Sequence, residues 1–108
     1  MRSLLIDDCR RLNVNIIAQN YFDGIWELEH HGPWDKLYLD HDLSNDDESY
    51  CKEHRRYMTG YDIMCWLEEH PEHLPGEIVL VTDNPVGRDK MKQVINKLYP
   101  RDEVHGIR

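Results

Sequence analysis

Leu37-Tyr38-Leu39-Asp40-His41-Asp42-Leu43 is the stretch on which the reading of this chain turns. An apolar run of this length, bounded by polar residues, reads as a buried strand. This one ends in two carboxylates and an imidazole. Leu4-Leu5-Ile6-Asp7-Asp8 repeats the pattern near the N-terminus. Ligands of open parallel sheets bind outside the carboxyl ends of the strands, so two such ends side by side make one compact negative pocket. A hard divalent cation, Mg²⁺ or Mn²⁺, relieves that repulsion, because it takes oxygen ligands and brings phosphate with it.

The segments around these two strands alternate in type. Residues 14–19 suggest a second strand. Residues 21–31 carry Phe22, Ile25, Trp26 and Leu28 at near-helical spacing and stop at Gly32-Pro33. The third strand covers 36–42, and the polar segment 44–58, without a usable period, reads as a loop. Residues 60–70 put Tyr61, Met64 and Leu67 on one helical face, with Ile63 and Trp66 beside it. A strand over 77–82 follows, then a helix over 85–98 with Met91, Val94, Ile95 and Leu98 inward, and a short last strand over 103–107. Such alternation implies βαβ units and a mostly parallel sheet, and 108 residues suit one domain with one core. Between Asp8 and Val14 there is no room for a crossover helix, whereas a parallel neighbour ordinarily needs about a dozen residues. The second strand is therefore antiparallel, or returns through a tight coil, or is not a strand.

Charge and cysteine usage narrow the function classes. A net charge of −8 disfavours long duplex nucleic acid, whose binding relies on counterion release by basic residues. It permits a small phosphorylated ligand, or an RNA end held through a metal. No apolar stretch approaches the roughly 20 residues of a membrane helix, and Asp7 and Asp8 interrupt the N-terminal apolar run too early for a secretory signal. The expectation is a cytoplasmic protein with no membrane partner. Cys9, Cys51 and Cys65 form no CxxC pair and read as reduced thiols. Cys51-x-x-His54 has zinc-like spacing, but a structural zinc site needs four ligands and no second pair stands out.

Alternate side chains of a strand share a face, so Asp40 and Asp42 stand roughly 7 Å apart on one side. Asp7 and Asp8 join them if the first and third strands are neighbours. His41 points the other way unless the strand end relaxes. Thr59-Gly60-Tyr61-Asp62 fits a capping pattern before a helix, and a helix N-terminus with Gly also lets an anion approach closely. In Asn84-Pro85-Val86-Gly87-Arg88, Asn84 suits the N-cap and Pro85 the first helical position. Thr82 offers a hydroxyl at the strand end, and Arg88 a forked guanidinium suited to phosphate. The plainer reading makes these solvated acids, helix caps, a surface pair between Arg88 and Asp89 or Glu77, and a solvated loop in place of a lid carrying Lys52, Arg55 and Arg56.

Taken together, Asp7-Asp8, Asp40 and Thr82 resemble the acid pocket of response-regulator receiver domains. More closely, Leu39-Asp40-His41-Asp42-Leu43, Thr59-Gly60-Tyr61-Asp62, Trp66-Leu67, Asn84-Pro85-Val86-Gly87-Arg88 and Met91 are similar to the cyclic-phosphate-processing receiver-like domains. The resemblance implies a receiver-like, flavodoxin-like α/β fold, and the short spacing after Asp8 leaves its first crossover helix missing or reduced in this chain. It also implies a role in handling cyclic phosphates, in RNA-end repair or in bacterial and phage conflict systems. Two departures stand out: Asp83 occupies a position where a small residue is expected, and no Lys follows the last strand, with Arg108 the nearest substitute.

Three functions follow as expectations. In the first, Asp7, Asp8 and Asp40 hold the metal and Arg88 neutralises the phosphate, with Thr59, Asp62, Thr82 and Asn84 around it. His41 acts as general acid, and Asp42 orients water or His41. The outcome is a Mg-dependent cyclic phosphodiesterase, or a domain that only binds its ligand; in a variant Asp40 attacks directly. The second is a signalling module accepting phosphate on Asp40. The third is a non-catalytic acidic protein that binds a protein partner.

Overall fold

The computed structural model describes residues 2–43 and 50–100. Four parallel strands, β1 (Ser3–Ile6), β2 (Ile16–Ala18), β3 (Lys36–Leu39) and β6 (Glu77–Leu80), form one sheet in the order β2-β1-β3-β6. β4 (Tyr50–Cys51) and β5 (Arg56–Tyr57) pair separately as an antiparallel hairpin. The helices are α1 (Tyr21–His30), α2 (Gly60–Glu69) and α3 (Pro85–Leu98), with a 3₁₀ turn at Pro71–His73. This is a flavodoxin-like α/β sheet, whose order reverses direction between β1 and β3.

The connection from β1 to β2 settles the open choice: β2 is parallel to β1 and returns through nine residues of coil, 7–15. So short a return works because the strands are short. Three or four residues span only about 10–13 Å, a distance that nine extended residues cover easily. Asn15 closes the coil by accepting the Ser3 N–H on its Oδ1 at 2.8 Å, while its own amide donates to the Ser3 carbonyl at 3.1 Å.

Strand parity decides where the core lies. Leu4, Ile6, Leu37, Leu39 and Ile78 pack in one cluster with Leu28 of α1, Ile63, Met64 and Leu67 of α2, and Met91 and Val94 of α3. All three α-helices thus cover the same face of the sheet. Each fully buried Leu or Ile contributes roughly 1.5–3 kcal/mol. The opposite face carries Leu5, Ile17, Tyr38 and Val79 in adjacent register, with Lys36 above the Tyr38 ring.

Some expectations need correction. Phe22 and Trp26 of α1 are exposed, at 44% and 48%, because the helix turns Gly24 and Leu28 inward instead. Trp26 stacks on His30, whereas Trp34 is a core residue whose Nε1 donates to the Glu27 carbonyl. The segment expected as a loop forms the β4–β5 hairpin from residue 50 onward, with Arg55 in the left-handed region at φ 58° and a Tyr50–Tyr57 edge contact. Two-residue strands are too short to show a period. The first part of that segment, the expected strand 103–107 and Arg108 lie outside the described residues. No described helix is long and apolar enough to cross a membrane.

α2 docks directly on the end of β3. The Gly60 N–H donates to the His41 carbonyl at 2.8 Å, and a Cβ on Gly60 would overlap the Asp40 carbonyl oxygen. Backbone cannot step aside as a flexible side chain can. Gly60→Ala is therefore expected to destabilise the fold by about 2–3 kcal/mol in urea denaturation. Gly24→Ala, whose Cβ would meet the buried Ile6 side chain at 2.7, 3.1 and 3.2 Å, should cost less than Gly60→Ala, since a side chain can shift and helix propensity offsets part of the strain. Equal effects at the two glycines would contradict this docking.

Candidate functional site

The ladder of the sheet continues one residue beyond the strands. Asp7 donates its amide to Ala18, Asp40 to Ile6 and Val81 to Leu39, each at 3.0–3.1 Å. These bonds fix the backbone at the carboxyl ends of β1, β3 and β6, and a cleft of about 330 Å³ opens there. Five carboxylates line it, Asp7, Asp8, Asp40, Asp42 and Asp83, together with Thr82, Cys9 and Arg10. Carboxylate oxygens of Asp7, Asp8 and Asp40 lie within 4.8 Å of one another. An all-oxygen set of this kind matches the preference of hard divalent cations.

Each acid sits in a different environment. Asp7 is 1% exposed. Its Oδ1 accepts the amides of Cys9 and Arg10 at 3.0 and 2.9 Å, and its Oδ2 accepts the Arg10 guanidinium at 3.0 Å. A buried carboxylate is tolerated when paired and bonded in this way. Asp40 is half-buried, and burial pushes its pKa up; Asp7 pushes in the same direction, against the Thr82 side chain, the His41 amide and Arg10. Asp8 and Asp42 are exposed.

The start of α3 borders the cleft through a second network. The buried Thr82 hydroxyl accepts the Asn84 N–H at 3.1 Å, and Asn84 Oδ1 caps the helix by accepting the Gly87 N–H at 3.0 Å. The Asn84 amino group lies 3.4 Å from both Asp42 oxygens and 3.5 Å from His41 Nδ1, which itself stands 2.9 Å from Asp42. The His41 ring rests on Gly87, where any Cβ would overlap it. That ring covers the first turn of α3.

The structure therefore divides the residues singled out from sequence. Asp7, Asp8, Asp40, Asp42 and Thr82 converge on the cleft, with His41 and Asn84 at its edge behind Asp42. Arg88 is not in the lining: its guanidinium donates to the Thr82 carbonyl at 2.8 Å. Thr59 and Asp62 also lie elsewhere. They form a capping box at the start of α2, and Asp62 takes both guanidinium nitrogens of Arg56 at 2.6 and 2.9 Å. Burial alone would raise the Asp62 pKa, but the Arg56 and Thr59 bonds outweigh it and hold the carboxyl below its usual range.

Arg10 is the residue that sequence reasoning missed. It bridges Asp7 and the Val81 carbonyl, with Asp83 3.8 Å away. The available signal was position: Arg10 stands three residues after Asp7, in the coil that leaves the carboxyl end of β1. A separate group, Cys51, Glu53 and His54, gathers on the β4–β5 hairpin, with Cys51 Sγ 3.1 Å from His54 Nδ1.

The Asp40 environment has a consequence for stability. A carboxyl whose folded-state pKa is raised binds its proton more tightly when folded. Ionised Asp40 thus opposes folding above its folded pKa, and the penalty fades as pH falls through that value to the ordinary carboxylate range. In metal-free buffer at neutral pH, Asp40→Asn is expected to raise Tm, and the gain should shrink in acid. A Tm difference that is absent or independent of pH would refute this electrostatic account.

Searches of curated proteins and of solved structures return no match. The family described as "Cyclic-phosphate processing Receiver domain" matches residues 2–97, a span that takes in every described strand, α1, α2, all of α3 but its last residue, and the whole described cleft. On that match, the chain belongs to the cyclic-phosphate processing receiver domain family.

Proposed function

We propose that the cleft binds a cyclic phosphate, a nucleotide or an RNA 2′,3′-cyclic end, together with a divalent cation, and opens the phosphate ring. The observation that carries this reading is the convergence of Asp7, Asp8 and Asp40 within 4.8 Å at the ends of adjacent parallel strands. Their oxygens suit Mg²⁺ or Mn²⁺, which when bound supplies charge neutralisation at the phosphate oxygens. Family membership points to the class of ligand.

The remaining roles belong to the chain's own groups. Thr82, buried at the end of β6, offers its hydroxyl to a phosphate oxygen. Ring opening adds one water: a P–O bond to water forms, one ring P–O bond breaks, and the water's proton ends on the departing ribose oxygen. Asp42, exposed in the cleft and backed by His41 at 2.9 Å, takes that proton and returns it to the leaving oxygen. Asn84 orients the pair through its amino group. In this arrangement His41 acts through Asp42, because its ring is held on α3 beside Gly87.

One feature favours a second reading. Asp40 stands half-buried at the end of β3, with its carboxyl acted on by the Thr82 side chain, a setting in which Asp40 itself could accept a phosphoryl group.

The test is incubation with a panel of 2′,3′- and 3′,5′-cyclic phosphates, with and without Mg²⁺ or Mn²⁺. Metal-dependent ring opening or binding is expected, with a loss of about 100-fold or more in Asp40→Ala. Absence of both binding and turnover across the panel overturns the proposal. Labelling by a small phosphodonor that disappears in Asp40→Asn, without turnover, would establish the second reading in its place.

A further inference from the structure

We infer that Arg10 is the oxyanion-binding residue of the cleft, and that occupation of the acid cluster by a divalent cation is what frees it to bind. The inference rests on the cyclic-phosphate reading above and adds which cation of the chain meets the ligand, and when.

The first observation is location. Arg10 is the one basic side chain among the described residues lining the cleft. Arg88 is engaged with the Thr82 carbonyl, and Arg56 with Asp62 on another part of the surface. Among the described residues, an incoming phosphate therefore meets a single guanidinium.

The second is how Arg10 is held. Its NH1 donates both to Asp7 Oδ2 at 3.0 Å and to the Val81 carbonyl. Its side chain is 34% exposed while that of Asp7 is 2% exposed, so the buried carboxylate is the fixed partner and the guanidinium the movable one. The Val81 carbonyl and Asp83, 3.8 Å from NH2, keep Arg10 at the cleft when its bond to Asp7 is lost.

The third is competition. Asp7 belongs to the oxygen cluster and to the ion pair at once. A divalent ion sharing the Asp7 carboxylate repels the guanidinium and takes over the charge it was balancing. Arg10 then presents a planar fork of donors to the cleft, which matches a phosphate in bidentate geometry. By linkage, the cation strengthens anion binding and the anion strengthens cation binding by the same factor.

Two measurements on the intact chain test this: Mn²⁺ binding followed by electron paramagnetic resonance, and binding of inorganic phosphate to the Mn²⁺-loaded protein followed by ³¹P line broadening. Arg10→Met keeps the apolar stem and removes the charge. It should bind Mn²⁺ at least as tightly as the wild type and phosphate about tenfold or more weakly. Arg10→Lys, which keeps the charge without the fork, should recover part of the phosphate affinity. Arg88→Met should lose less phosphate affinity than Arg10→Met. Wild-type phosphate affinity in Arg10→Met, weaker Mn²⁺ binding in that variant, or a larger loss in Arg88→Met overturns the inference and leaves the cyclic-phosphate reading standing. A wild-type protein that binds no Mn²⁺ overturns the metal-dependent reading and this inference together.

Discussion

The hydrogen-bond ladder between β1 and β3 does not stop where the strands do. Asp40 N–H still donates to Ile6, and on the outer sides Asp7 N–H still donates to Ala18 and Val81 N–H to Leu39. Because these bonds hold backbone rather than side chains, they bring carboxylates together without requiring the carboxylates to attract one another. Hydrophobic burial of Leu4, Ile6, Leu37 and Leu39 under the three helices supplies the free energy that keeps the strand ends in register. The cleft is thus a by-product of a well-packed core, and gathering the acids there has an electrostatic cost.

That cost is met locally and unevenly. Asp7, the most buried acid, takes two amides and a guanidinium. Asp40 has fewer compensating bonds, and burial leaves its carboxyl holding its proton more tightly than usual. Asp42 is steadied from behind by Asn84 and His41. The helix starts serve this arrangement by packing closely: Gly60 lets α2 touch the Asp40 carbonyl, and Gly87 lets the His41 ring lie on α3. At both positions the smallest side chain is required for space, since neither glycine has a positive φ.

Much of the fold was legible from local pattern. The runs 4–6 and 37–39 mark themselves as strands by unbroken apolarity, and α2 and α3 by period. Phe22 and Trp26 misled because spacing shows that a stripe exists without showing how wide the buried part is. The hairpin at 50–57 was hidden by the brevity of its strands. Among residues lining the cleft, Asp7, Asp8, Asp40, Asp42 and Thr82 were readable because strand ends place them; the match to residues 2–97 supports the family. Thr59 and Asp62 were readable as a cap, and the structure uses them as one, with Arg56 added.

Arginine partners were not readable from motif or period. Arg88 sits one turn into a helix beside the right strand end, yet its long side chain folds back onto the Thr82 carbonyl. Arg10 belonged to no quoted motif and stands in the cleft because it follows Asp7 closely at the carboxyl end of β1 and reaches the Val81 carbonyl beyond β6. By itself, then, the sequence determined which segments extend or coil and which acids end the strands, since those follow from hydrophobic period and chain neighbours. Only the tertiary structure decided which cation meets those acids and which face of the sheet the helices cover. A flexible charged side chain chooses its partner by distances between segments remote along the chain, and no local pattern encodes those distances.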